Sequence, residues 1–99
     1  MIDVVETDII ETKKGAALGI KINLQRVPLF IIRAEKGYLC CGYFNAHTIE
    51  KTKDCAVIIK GVKSFNDMLN KRVSYISTSA KKLGIRSGMR GEAALERMM

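Results

Sequence analysis

From position 18 the chain alternates between apolar and polar residues. Leu18, Ile20, Ile22 and Leu24 fall on one side, and Gly19, Lys21 and Asn23 on the other. A period of two marks a half-buried strand with its aliphatic side turned toward a core. Before it, residues 2–12 mix β-branched and acidic side chains without helical periodicity, which suits an outer strand, and Lys14-Gly15 supplies the turn. On that outer strand Asp3, Glu6 and Asp8 read as solvated charges that discourage edge-to-edge pairing. Positions 29–34 form an apolar run, with Pro28 placed ahead of it, where a missing N–H does least harm. Glu35-Lys36-Gly37 is a hairpin signal, with a glycine available for positive φ. Positions 38–44 are apolar on both sides, the mark of a central strand.

Asn45 then offers an N-cap for a short helix through about residue 53, and positions 55–59 have the composition of another buried strand. Ser64 with Asp67 forms a capping box in which Asp replaces the usual Glu or Gln. Phe65, Met68 and Leu69 follow at the spacing that packs a helix on a core. Positions 73–76 fit one last short strand. Ser77 or Ser79 opens a helical turn that Gly84 ends, with Ile85 folding back on Ala80. Positions 91–99 form a terminal helix with Ala94, Leu95, Met98 and Met99 on its apolar side. The predicted architecture is one α+β domain over residues 1–99. Its sheet is mostly antiparallel, with about five to six strands, and three or four short helices lie mainly on one face.

Composition narrows the class without naming a function. Apolar residues make up 47% of the 99 positions, which rules out a disordered chain. No apolar run approaches the ~20 residues that span a bilayer, so no membrane role is expected. The N-terminus is acidic where a secretory signal would be basic, which points to the cytoplasm. Three cysteines, at 40, 41 and 55, lack a C-x-x-C spacing and fit reduced thiols better than a disulfide framework. The net charge of +7 is unevenly spread. Residues 60–99 carry nine basic and three acidic side chains, whereas residues 1–59 are nearly balanced. Such a bias attracts anions.

Three segments resemble a known family. Gly37-Tyr38-Leu39-Cys40-Cys41-Gly42 is similar to the G-Y-x-x-C-G segment of the YunC-like family of domains of unknown function. The run from Gly61 to Leu69 resembles its G-V-[KR]-[ST]-h-x-x-L-L stretch. Leu83-Gly84-Ile85-Arg86-Ser87-Gly88-Met89-Arg90-Gly91 resembles its L-G-I-x-x-G-M-x-G segment. The order and spacing agree over most of residues 37–97, and residues 1–36 agree only in general pattern. The resemblance implies a small bacterial or archaeal domain. It carries no catalytic role with it.

Candidate chemistry gathers at two glycine-containing loops that each lead into a helix, at 60–64 and 84–91. Glycines let an anion approach free backbone N–H groups, and Lys63, Ser64, Arg86, Ser87, Gly88 and Arg90 add charge, hydroxyls and access. Neither loop has the spacing of a P-loop or of a dinucleotide fingerprint. The reading that follows is a binding module for a small anionic or phosphorylated ligand. Against it stands the plain alternative that the glycines serve turns and the charges are solvated. Cys41, beside Gly42, with His47 shortly after, gives the weaker possibility of a thiol-dependent enzyme. A buried cysteine more often acts as a small apolar residue. Cys40, Cys41, Cys55 and His47 lack zinc-ligand spacing, so neither metal nor cofactor is expected. Aromatic residues are few and not interleaved with Lys and Arg, so nucleic acid ranks below a small anion as a partner. A chain this small also invites self-association, most simply as a dimer, or service as an interaction subunit.

Overall fold

The computed structural model describes residues 4–99. Its six strands are β1 (Val5–Thr12), β2 (Gly15–Ile22), β3 (Leu29–Arg33), β4 (Tyr38–Cys40), β5 (Ala56–Ile58) and β6 (Tyr75–Ile76). Four helices interrupt them: α1 (Ala46–Thr52), α2 (Phe65–Asn70), α3 (Thr78–Lys81) and α4 (Gly91–Arg97). The strands lie side by side in chain order, antiparallel throughout except for β4 and β5. That pair is parallel because α1 carries the chain back across the sheet between them. The α+β class, the mostly antiparallel sheet and the short helices agree with the sequence.

The sheet has two unlike faces. Helices α2, α3 and α4 pack on one, over a core built around Phe30, Ile32, Leu39, Val57, Met68 and Leu95. Each such side chain, fully buried, contributes about 1.5–3 kcal/mol. Among the described residues the opposite face is covered at the β4–β6 end, where Ile49 of α1 packs on Cys40, Ala56 and Ile58, with Tyr75 beside them. Adjacent Cys40 and Cys41 therefore enter different clusters, as strand alternation requires.

Strand β2 is turned over relative to its predicted orientation. Ala17 and Gly19 face the helices and are buried, whereas Leu18 is 39% exposed on the opposite face. The reason lies in α2. Phe65 crosses edge-on to Phe30, with ring centroids 5.4 Å apart, and its ring occupies the space over Gly19. A Cβ at Gly19 would lie 3.0 Å from that ring, so the small residues of β2 must take the helix side. Alternation reveals that a strand has two faces, not which face the helices choose.

Other details depart from expectation for local reasons. Strand β4 ends at Cys40 rather than near 44, because the chain turns where Phe44 N–H meets the Cys41 carbonyl, 3.2 Å away. Gly37 does not use positive φ. It is needed because a Cβ there would meet the Cys55 carbonyl oxygen at 2.5 Å. Glu6 is not simply solvated: it receives the Asn23 amide at 2.6 Å and lies 3.7 Å from Lys21 Nζ. Asp8 is exposed on β1, and Asp3 lies outside the described residues.

The helix caps follow the sequence closely. Asn45 accepts from Thr48 N–H, Ser64 from Asp67 N–H and Ser77 from Ala80 N–H. Ser77 does more than cap. Fully buried, its Oγ also accepts from Ala56 N–H at 3.0 Å and donates to the Asp54 carbonyl at 2.8 Å. On the outer layer Glu50 accepts from the Tyr75 hydroxyl and from both the N–H and hydroxyl of Thr78, which ties α1 to the start of α3.

Candidate functional site

The parallel pair opens a cleft at one end of the sheet. β4 and β5 point the same way, so the segments following both emerge at one end of the sheet, joined by an Ile59 N–H to Cys40 carbonyl bond of 2.8 Å. Residues Val27 and Pro28, entering antiparallel β3, reach the same end. Together they bound a cleft of about 350 Å³ with Cys41, Gly42, Tyr43, Gly61 and Val62. Crevices outside the carboxyl ends of parallel strands are where open sheets commonly hold ligands, because the chain must diverge there. At the mouth, the half-exposed Tyr43 donates its hydroxyl to the Val27 carbonyl at 2.9 Å, which fixes one wall.

Two glycines keep the cleft open. Gly61 has φ of 74°, a left-handed conformation that suits a residue without Cβ. Gly42 has ordinary φ, and the Lys60 side chain runs past it: Lys60 Cγ would sit 3.7 Å from a Cβ at that position. Lys71 Nζ donates to the Gly61 carbonyl at 2.9 Å. Lys60 and Lys71 thus neighbour Gly42 and Gly61, two of the residues that line the cleft.

Cys41 lines the cleft and is only 5% exposed. Its backbone N–H donates to the Phe30 carbonyl at 3.2 Å, and Phe30 N–H in turn points at its Sγ from 3.4 Å. The other two thiols differ. Burial pushes Cys40 up to about 12, with smaller contributions from Cys41 and Asp54, and its sulfur donates to the Val57 carbonyl at 3.6 Å. Burial also raises Cys55. A thiolate is disfavoured at both positions. His47 is exposed on α1, in the layer that covers the face opposite the Cys41 cluster, and the hydrogen bonds of Cys41 go to Phe30 and Phe44. Among the described residues no three His, Cys, Asp or Glu side chains converge as metal ligands would.

The residues singled out for anions lie on two loops that share a neighbour. Lys63 and Ser64 are exposed at the start of α2. There the Lys63 N–H donates to Asp67 Oδ2 at 3.0 Å, and Ser64 Oγ accepts from Asp67 N–H at 3.0 Å. The helix's own carboxylate therefore occupies much of the space an external anion would use. Arg86, Ser87, Gly88 and Arg90 are exposed on the second loop, where Gly88 has φ of 89°. None of these six lines the cleft at the β4 and β5 ends.

Sequence reasoning passed over Lys71 and Arg72. Lys71 holds Gly61 through its side chain and accepts the Gly91 N–H on its carbonyl at 2.9 Å. Arg72 donates to the Gly88 carbonyl and bridges Arg90 in antiparallel register. One short segment thus ties both glycine loops together. Two adjacent basic residues just past a helix were the available signal, but nothing in their spacing says that they turn inward to carbonyls. Val27, Pro28 and Tyr43 carried no signal at all, since they meet only in three dimensions.

Comparison with other proteins agrees with the motif resemblance. The profile of the family described as "Domain of unknown function (DUF1805)" matches residues 40–98. The Bacillus subtilis (strain 168) protein YunC, itself called uncharacterized, is 26% identical over 85 residues, covering 82% of this chain and 84% of its own length. The crystal structure of TA1206, a protein of unknown function from Thermoplasma acidophilum, superposes with a TM-score of 0.90 at 35% identity, over 96% of this chain and 93% of that one. No helix among the described residues is long and apolar enough to cross a membrane.

Proposed function

The chain belongs to the family of domains of unknown function DUF1805, and on that footing we propose that it is a binding module for a small ligand carrying an anionic group on an apolar body. One observation carries the reading: the 350 Å³ cleft at the carboxyl ends of β4 and β5, with apolar walls and with Lys60 and Lys71 beside its lining glycines Gly42 and Gly61. The apolar part of the ligand lies against Val27, Pro28, Tyr43 and Val62. Its anionic group faces the lysines, helped by a net charge of +7 that raises the local concentration of anions. Compared with an anion held between the loops at 60–64 and 84–91, this seat keeps the same ligand class and shares the first of those loops.

Thermal shift against inorganic phosphate, small carboxylates and mononucleotides tests the proposal, because a ligand that binds only the folded chain raises its melting temperature. Gly42→Leu is the companion variant: Gly42 lines the cleft, and a Cβ there meets only the Lys60 side chain, at 3.7 Å, so the substitution adds bulk at the cleft wall without striking the core. At least one probe should stabilise the native chain and fail to stabilise Gly42→Leu. Stabilisation by none of them, or stabilisation indifferent to Gly42→Leu, rejects the cleft.

The position of Cys41 in the cleft wall favours a second reading, thiol chemistry on the bound molecule. Alkylation rate against pH separates the two. A rate no faster than that of free cysteine at any pH leaves Cys41 as a wall residue only.

A further inference from the structure

The face of the sheet opposite the main core is only half covered. Helix α1 lies over β4 and β5, but among the described residues no helix covers the same face over β1–β3. Strand register puts Val5 beside Ile22, Ile20 between Thr7 and Ile31, and Leu18 between Ile9 and Arg33. These are the side chains that the turned-over β2 leaves outside. Val5 is 56% and Ile9 61% exposed, with Leu18 at 39%. Isolated exposed aliphatics are common on any surface, but a contiguous block on three adjacent strands is not.

We propose that this bare face is the contact between two copies of the chain, packed sheet on sheet about a two-fold axis. Three features of the face favour a second copy as the occupant. The first is charge. Each chain carries +7, yet Val5, Thr7, Ile9, Leu18, Ile20 and Ile22 bring no charge to the block, and Glu11 and Arg33 stand toward one end of it. A two-fold contact sets each patch against its own image, so a strongly basic chain meets least repulsion through a face poor in lysine and arginine, here with Arg33 at the Leu18 end.

The second is area. Strands of eight, eight and five residues, at about 3.4 Å per residue and about 4.8 Å apart, give a flat footprint of roughly 340 Å². Two such patches, roughened by side chains, bury on the order of 1,000 Å², the lower bound for a specific interface. The third is the step made by α1. A helix is about 10 Å thick and packed sheets stand about 10 Å apart, so a partner's sheet fits beside α1 without displacing it. Pairing of the edge strand β1 with its mate would instead extend the sheet and leave the apolar face bare. The contact lies on the face opposite the Cys41 cluster and does not depend on the ligand reading.

Sedimentation velocity of the full chain over a concentration series tests the inference, with Ile9→Lys and Thr7→Arg as variants and circular dichroism confirming their fold. Thr7 is exposed and contributes nothing to the core, so Thr7→Arg decides the matter even if Ile9→Lys is unstable. The native chain should form a reversible two-chain species at micromolar concentrations. Each variant, by apposing like charges across the axis, should weaken it on the order of 100-fold or more. A native chain that stays monomeric up to the highest concentration, or a dimer that both variants leave unchanged, overturns the proposal.

Discussion

Gly91→Ala should be among the most damaging single-methyl changes in this chain, and the structure sets the size of the effect. Gly91 begins α4 where that helix crosses α2, and a Cβ built on it would lie 1.9 Å from the Met68 carbonyl oxygen and 2.9 Å from Ile59 Cδ1. Ordinary contact begins near 3.4 Å, so α4 would have to withdraw by about 1.5 Å. Ala94, Leu95 and Met98, all fully buried, would be pulled along, and the 2.9 Å bond from Gly91 N–H to the Lys71 carbonyl would stretch. Overpacking typically costs about 1–3 kcal/mol. A weakened hydrogen bond adds about 0.5–1.5 kcal/mol, and alanine's better helix propensity returns up to about 1 kcal/mol. A withdrawal of about 1.5 Å puts overpacking at the top of its range, so the net loss is about 2.5–4.5 kcal/mol, a large share of the roughly 5–15 kcal/mol of a small domain. Urea denaturation followed by circular dichroism measures it, with Gly88→Ala as the control. Gly88 needs a left-handed backbone but has open space around its Cβ position, so its loss should be only about 1–2 kcal/mol. A Gly91→Ala loss below about 1 kcal/mol, or one smaller than that of Gly88→Ala, would refute the steric account.

Two further predictions follow from polar groups between layers. Ser77→Ala removes the acceptor for two backbone donors, Ala56 N–H and Ala80 N–H, in a site with no exposure; it should cost about 2–4 kcal/mol, and a thermal melt barely lower than the native one would contradict this. The Glu50–Tyr75 pair predicts two pH limbs. Hydrogen bonds from Tyr75 and Thr78 hold the Glu50 carboxyl below its usual range, so its stabilisation is present above that range and lost as pH falls through the folded value. The bond to Glu50, with burial second, pushes Tyr75 up from 10.0 to about 12, so its stabilisation is present below 10.0 and fades as pH rises toward about 12. Melting temperature against pH should lose part of its acid limb in Glu50→Gln and part of its alkaline limb in Tyr75→Phe; native-like curves from both variants would refute the coupling.

Much of the local structure was legible because it is decided locally. Asn45, Ser64 and Ser77 cap their helices through a side-chain oxygen a few bonds from the N–H it receives. The hairpin at Lys14-Gly15 and the short helices follow from turn chemistry and apolar spacing in the same way. The anion loops were legible only as loops. Their glycines do adopt positive φ at 61, 84 and 88. What their charged neighbours touch depends on Lys71 and Arg72, whose partners are ten and sixteen residues away.

The sequence by itself determined the class of fold, the starts of the helices, and the separation of Cys40 from Cys41, because these rest on propensity, capping and the two-residue period of a strand. Tertiary structure alone decided which face of β2 the helices would cover. Phe65 needed the space over Gly19, and so Leu18, Ile20 and Ile22 were left to the other side. It also decided that β4 and β5 run parallel and open a cleft at their shared end, since a helix can return a strand in either direction. Both candidate surfaces, the cleft and the bare face, exist because of choices made between elements distant in the chain.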